Sequence, residues 1–416
     1  MASKKKVCIC YQHGCARRKI DTQLIYDYFI LNGWKITKSL SRADLIILST
    51  CAFDKIREDA AIEAVTRIKK KNITAQIIVA GCLGSINQKR LSELGEFIVI
   101  SPPTLGELDK IINAKISIKE LEDPATLGAF KTSKICDFSS TITLPRQVIN
   151  MFLFLKRIAM FILAYKGAKK HSSGYDFFNV MYSPDTKLIR ISEGCINNCS
   201  YCAIKYAIGD LRSKPIKNII KEFDYAVEKK YKRVCLVAAD IGSYGIDIQT
   251  NIINLLIAML ERKGSCQIML FDVNMLWLIK YSSEFFDILK KYPGRIDSIL
   301  CPIQSGSDKI LTLMKRKYKI SQATDCLKKI KEISPETKLV TDIMVGFPGE
   351  TENDFLATLE VIKTIKFDKV QVFKYADRIG TEAAGLPDKI TEDVKEKNYT
   401  RINSFVALID SEIALK

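Results

Sequence analysis

The chain has 416 residues, 47% of them apolar and 27% charged, the composition of a folded globular protein with two or three domains of about 100–200 residues each. Lys and Arg number 64 against 47 Asp and Glu, a formal charge of +17 that favours an anionic partner such as nucleic acid, although a Lys-rich, AT-biased genome produces the same excess. Thirteen cysteines behind the polar start Met1-Ala-Ser-Lys-Lys-Lys6 exclude a secreted disulfide scaffold and point to a reducing cytoplasm, and no apolar run approaches the ~20 residues of a membrane span.

From residue 6 to 112, short apolar runs alternate with amphipathic ones. Strands are predicted at Lys6–Tyr11, Trp34–Thr37, Asp44–Ser49, Gln76–Ala80 and Glu96–Ile100, and helices at Asp21–Leu31 and Asp54–Lys70. Strand–helix alternation predicts an α/β fold with a doubly wound parallel sheet. Cys15, Cys51 and Cys82 each follow one of these strands. The carboxyl ends of parallel strands share one edge, where ligands bind, so three cysteines far apart in sequence can converge there. Gly14 and Gly81 precede two of them and allow close backbone approach. Cys8 and Cys10 lie inside their strand and read as core.

Residues 120–140 are polar and read as an irregular linker. Residues 145–170 then form a basic, apolar-rich helix with Arg146, Lys156, Arg157, Lys166, Lys169 and Lys170 interspersed. It suits interdomain packing, docking to a macromolecule or lying at a membrane interface.

A second series of six βα units runs from Lys187 to Asp377. Its strands are predicted at Lys187–Ser192, Arg233–Ala238, Cys266–Val273, Asp297–Ile303, Lys338–Val345 and Lys369–Lys374. Six consecutive units predict a parallel barrel or part of one, with its site at the carboxyl ends of the strands. The loop after the first strand packs Cys195, Cys199 and Cys202 into eight residues. Three close thiolates suit three irons of a cubane cluster and leave the fourth open to a small molecule. A structural zinc site is the alternative, but it wants four Cys or His ligands, and the chain's two histidines, His13 and His171, lie elsewhere in the sequence.

The Cys-x3-Cys-x2-Cys spacing, with Tyr201 before the last cysteine, resembles the signature of radical S-adenosylmethionine (SAM) enzymes. The surrounding GCINNCSYCAIKYAIGDLRSKP (194–215) is similar to their methylthiotransferase branch. Gly14-Cys15, Ser49-Thr-Cys51-Ala-Phe and Ala80-Gly-Cys82 resemble that branch's N-terminal cysteine motifs. Further matches are Asp240 to Gly245, Pro302 to Ser307, Met314 to Tyr318, Asp342 to Glu350 and Tyr375 to Ala383.

The resemblance implies a methylthiotransferase domain (1–115), a linker with the basic helix (116–182), a partial (β/α)6 barrel (183–385) and a C-terminal helix (386–416) without the TRAM domain that relatives usually carry. It implies two [4Fe–4S] clusters, one on Cys195, Cys199 and Cys202 and an auxiliary one on Cys15, Cys51 and Cys82. SAM is implied at the open iron, near Tyr201, Asp240, Gln304, Ser305, Gly346 and Gly349. Cleavage of SAM to a 5′-deoxyadenosyl radical would activate a C–H bond of tRNA, at the hypermodified adenosine beside the anticodon, or of a protein or peptide side chain. The electron donor would be a flavodoxin or ferredoxin. Lys205, Ile208, Asp210, Leu300 and the pair Arg17-Arg18 depart from the family pattern. Alternatives are a non-catalytic RNA-binding or scaffold protein keeping the fold, and a radical SAM enzyme with another sulfur-insertion or methylation product.

Overall fold

The structure is a computed structural model and describes residues 5–12, 15–71, 74–124, 126–138 and 176–414. The helix expected at 145–170, His13, Gly14 and His171 lie outside the described residues.

The N-terminal part is a parallel sheet of strands β1 (Lys6–Tyr11), β2 (Lys35–Ile36), β3 (Leu45–Thr50), β4 (Gln76–Gly81) and β5 (Ile98–Ile100) in the spatial order β2-β1-β3-β4-β5. β1, β3 and β4 are almost wholly buried, because helices cover both faces of such a sheet. Register pairs Tyr11 with Ser49 and Thr50 with Gly81, so the three strands end level and the cysteines that follow them share one edge.

Two local features differ from the sequence expectation. The first helix spans Ala16–Leu31, not Asp21–Leu31, with Cys15 in the N-cap position. The polar start Arg17-Arg18-Lys19 hides a helical turn in which buried Arg18 pairs with Asp21 one turn on, Nη1 to Oδ2 at 2.6 Å. The segment expected to be irregular returns to the sheet: β6 (Cys136–Asp137) pairs in parallel with the end of β1, Cys10 opposite Cys136 and Tyr11 opposite Asp137.

The second part has six parallel strands, β7 (Thr186–Arg190), β10 (Arg233–Val237), β11 (Gln267–Leu270), β12 (Ile296–Leu300), β13 (Lys338–Val345) and β14 (Lys369–Lys374), adjacent in that order. Between the first two, β8 (Ser192–Glu193) and β9 (Arg212–Ser213) pair antiparallel and pinch the base of the three-cysteine loop. Apolar faces of helices 216–228, 252–260, 282–291, 320–333 and 352–365 cover the outside of the barrel. Its inside residues, among them Val237, Phe271, Leu300 and Val340, pack against Ala16 and Ile20 of the N-terminal domain's first helix and Phe177 and Met181 of helix 177–181. One domain thus plugs the open barrel of the other. Among the described residues no helix is long and apolar enough to cross a membrane.

Candidate active site

The loop carrying Cys195, Cys199 and Cys202 is held at many points. Gly194 has φ +74°, and a Cβ there would sit 1.8 Å from the carbonyl oxygen of Asp210, so only glycine lets the chain enter the loop. The Ser200 N–H donates to the Met314 carbonyl at 3.2 Å, its hydroxyl to the Leu313 carbonyl at 2.6 Å, and its own carbonyl accepts from Ala383 N–H at 2.9 Å. Burial pushes the Cys195 thiol up to about 11, but the backbone and side-chain N–H groups of Asn197 both donate to its sulfur at 3.4 Å. Such donors favour the thiolate that metal binding requires.

Asp240, at the end of β10, is buried and serves this loop. Its carboxylate accepts from Asn197 Nδ2 (2.6 Å), Trp277 Nε1 (2.8 Å), Gly242 N (3.1 Å) and Asn274 N (3.1 Å). Burial raises its pKa and these donors oppose the shift. Asp240 therefore orients Asn197, and Asn197 orients Cys195. Tyr201 packs with Met314, Phe347 and Tyr375, and burial raises its phenol. Gln304 forms an isolated bridge with Ile343, and Ser305 is fully buried, its Oγ accepting from Ser307 N at 3.2 Å. Gly346 N donates to Glu350 at 2.7 Å beside Lys395 of the C-terminal helix, and Gly349 N donates to the Asp388 carbonyl at 3.0 Å. These backbone groups shape the barrel's rim.

Sequence reasoning assigned no role to Arg316, although it lay in a quoted motif. It is close to Cys199, Tyr201, Tyr318 and Asp240; burial would lower its pKa, but these groups hold it above its ordinary value. Nη2 donates to the Pro302 carbonyl at 3.4 Å, while buried Nε has no partner among the described residues. It offers a cation to a carboxylate beside the cysteine loop.

The second triplet stands on the sheet edge. Gly81 (φ +108°) passes so close to Thr50 that a Cβ would lie 2.3 Å from its carbonyl oxygen, and Cys82 N donates to that oxygen at 3.3 Å. Cys51 and Cys82 are buried and Cys15 half-buried. A hydrogen bond with Cys51, opposed by burial but helped by Arg17 and Arg18, holds the Cys15 thiol well below the ordinary range, and the same bond raises Cys51. Among the described residues, neither this triplet nor Cys195, Cys199 and Cys202 brings three sulfurs within 4.8 Å of one another.

The two triplets meet. Ala203, Ile204, Ala207 and Ile208 of the cysteine loop pack in one apolar cluster with Cys82, Leu83 and Ile86, and Cys195 and Cys202 border it. Ile208, a departure from the family pattern, is buried in this interface. Arg17 lies between them, close to Cys15, Cys82 and Asp272; burial raises the Cys202 thiol and Arg17 opposes that shift, and its Nε and Nη1 are buried without hydrogen-bond partners among the described residues. Beside Cys15 and Arg17 opens a cavity of about 430 Å³, walled by Phe53, Phe178, Tyr182, Phe271 and Phe373, with Arg57, Asp272, Leu300 and Asp342. Burial raises both acids, Asp342 to about 7.

Comparison with known proteins decides the family. Residues 189–362 match the Radical SAM superfamily, and residues 7–101 match the uncharacterized protein family UPF0004. A tRNA-2-methylthio-N(6)-dimethylallyladenosine synthase of Thermodesulfovibrio yellowstonii is 30% identical over 387 residues, covering 92% of this chain and 79% of the relative. The chain belongs to the radical SAM methylthiotransferase family. Among other family members, a ribosomal protein uS12 methylthiotransferase RimO of Dictyoglomus thermophilum is 29% identical over 97% of this chain and 83% of its own. A probable threonylcarbamoyladenosine tRNA methylthiotransferase of Pyrococcus horikoshii is 28% identical over 89% and 77%. In fold, the methylthiotransferase is similar to the radical SAM methyltransferase TsrM from Kitasatospora setae, with TM-score 0.60 over 92% of this chain and 75% of that one at 12% identity. It is an enzyme that uses a [4Fe–4S] cluster and SAM to place a methylthio group on a macromolecular acceptor.

Proposed function

We propose that the enzyme methylthiolates a modified adenosine of tRNA, and that Cys195, Cys199 and Cys202 hold the SAM cluster while Cys15, Cys51 and Cys82 hold a second one. The observation that carries the tRNA assignment is the cavity beside Cys15. Phe53, Phe178, Tyr182, Phe271 and Phe373 supply ring faces for stacking a purine, and Asp272 and Asp342, whose burial favours the protonated carboxyl, put hydrogen-bonding groups at its edge. The net charge of +17 suits a polyanionic acceptor.

When bound, the first cluster supplies the electron that cleaves SAM. The chain's own residues position and shield. Asp240 and Asn197 fix Cys195, Arg316 neutralises a carboxylate next to the loop, and the apolar packing of Ile204 and Ile208 against Leu83 excludes water between the triplets. Arg17 stabilises negative charge on sulfur at Cys15 and Cys82. Thirteen cysteines without a disulfide among them suit a reducing cytoplasm, where a flavodoxin or ferredoxin is a fitting donor.

A second reading is a carboxylate-bearing protein side chain as acceptor, since Arg17 and Arg57 put two cations on the cavity wall. Mass spectrometry of nucleosides from total tRNA, with and without the gene, decides. Loss of a methylthioadenosine species establishes tRNA as acceptor. An unchanged profile together with a missing mass increment on ribosomal protein uS12 overturns that assignment.

A further inference from the structure

Outside both triplets, Cys8, Cys10 and Cys136 form a third group of thiols. Their sulfurs all lie within 4.8 Å of one another, with Cys8 Sγ 3.8 Å from Cys10 Sγ and 3.5 Å from Cys136 Sγ. Among the described residues it is the one set of three metal-ligating groups so close together. The topology explains the convergence. Cys8 and Cys10 are two apart on β1 and share a face, and β6 brings Cys136 into register with Cys10.

Three thiolates about 2.3 Å from one cation stand about 3.8–4.0 Å apart. The spacing found here is close to that and tighter than in either cluster triplet. Packing alone does not ask for it, because buried thiols behave as small apolar groups and any one of them serves as well as valine. β6 is moreover only two residues long, so backbone pairing does little to hold it.

We propose that Cys8, Cys10 and Cys136 form a third, mononuclear metal site that takes one thiophilic closed-shell cation, Zn(II) or Cu(I), and clamps β6 onto β1. Three thiolates complete the shell of Cu(I). Zn(II) takes a fourth ligand, a water or the Lys38 carbonyl oxygen, which lies 3.4 Å from Cys136 Sγ. Cys8 and Cys10 are buried, whereas Cys136 is partly exposed and gives the ion its way in. The clamp acts on the substrate cavity, since Tyr11 and Asp137, the pair that follows the metal-binding pair in the ladder, both line it.

The test uses full-length protein purified anaerobically, with its iron sites filled first so that added metal cannot occupy them. The protein is equilibrated with Zn(II) alone or, under reductant, Cu(I) alone, desalted, and assayed for zinc, copper and iron. The expected result is one retained equivalent of one cation, lost at least tenfold in Cys136→Ser with iron content unchanged, and kept in a Cys326→Ser control. Retention of zinc or copper distinguishes the two ions. Equal zinc and copper retention in wild type and Cys136→Ser overturns the proposal, as does a loss of iron in Cys136→Ser or a Cys8–Cys136 disulfide in the purified protein. Should Cys136→Ser fail to fold, the wild type still decides: the bound cation must raise its melting temperature, and no rise with either ion overturns the site.

Discussion

Asn197 donates to Asp240 at 2.6 Å, tying the cysteine loop after the first barrel strand to the acidic turn after the second. Because Asn197 also donates twice to Cys195, the carboxylate holds at one remove a cysteine proposed as a ligand of the SAM cluster. Asp240→Ala leaves four donors without an acceptor and is expected to lower stability by about 2–4 kcal/mol. SAM cleavage, read as 5′-deoxyadenosine formed per bound iron, should fall roughly 10- to 100-fold. Asp240→Asn keeps part of the acceptor set and should be intermediate. Unaltered cleavage in both variants would contradict the positioning role.

Arg378 joins the domains. Its Nη2 lies 2.9 Å from Glu58 Oε2 and donates to the Ala52 carbonyl at 2.7 Å, and both charged side chains are 5% exposed. Removing one member strands the other in the interior, so Arg378→Ala is expected to cost about 3–5 kcal/mol. Glu58 keeps Asn87 and Arg90, which puts the loss toward the lower end. Urea unfolding should turn from one transition into two as the barrel and the N-terminal sheet uncouple.

Acid should loosen the same assembly at a second lock. Burial alone would raise Asp123, but Arg190 and Lys214 outweigh it and hold the carboxyl at about 2, below the ordinary aspartate value near 3.9. The folded pKa is depressed, so this contribution is fully present above about pH 4 and is lost as pH falls toward 2. The shift corresponds to about 2–3 kcal/mol. Arg190 also contacts Asp21 of the first helix at 2.5 Å, so the loss is felt between domains. Asp123→Asn should be less stable at pH 7 and show a flatter acid limb between pH 4 and 2.

The reverse sign applies in the cavity. Asp342, raised to about 7 mainly by burial, favours folding below about pH 4 and loses that contribution as pH rises through 7. Asp342→Asn should flatten stability between pH 4 and 7. If the protonated carboxyl donates to the acceptor, wild-type binding should weaken above pH 7 and the variant's should not. Equal pH profiles for acceptor binding would remove Asp342 from recognition.

Much of this was legible in the chain. The strands ending at Tyr11, Ser49 and Ala80 announced themselves as apolar runs, and the cysteines behind them followed from the geometry of a parallel sheet. The spacing of Cys195, Cys199 and Cys202 marked their loop as a metal-binding candidate, and the family resemblance, not the spacing, gave it the role of a SAM cluster. What stayed hidden depends on contacts between residues far apart. Nothing periodic marks Cys136–Asp137 as a strand, because two residues carry no pattern, and its partner lies well over a hundred positions away. Arg17 stood out in the sequence only as a departure from the family pattern and Arg316 only as part of a motif; that both are buried beside the cysteines shows only in the tertiary structure. Asp240 looked like a ligand-binding acid; Gly242 is a local capping donor, but its other three donors come from positions 197, 274 and 277, which no local rule connects to it.

Arg17 gives the sharpest separation of folding from function. Among the described residues its Nε and Nη1 are buried without partners, an arrangement that costs stability and that a folded core has no use for. Replacing it with methionine keeps the volume and removes the unpaired donors, so Arg17→Met is expected to leave the melting temperature unchanged or raise it by a few degrees. If the guanidinium stabilises charge on sulfur at Cys15 and Cys82, the same variant should still cleave SAM but form methylthio product roughly 10- to 100-fold more slowly. Arg17→Lys, which keeps the charge, should recover part of the rate. The electron paramagnetic resonance signal of the N-terminal site should shift in Arg17→Met while the SAM-responsive signal stays. A parallel fall of cleavage and product would instead place Arg17 at the first cluster. Retention of full product formation would make it a passive part of the interface.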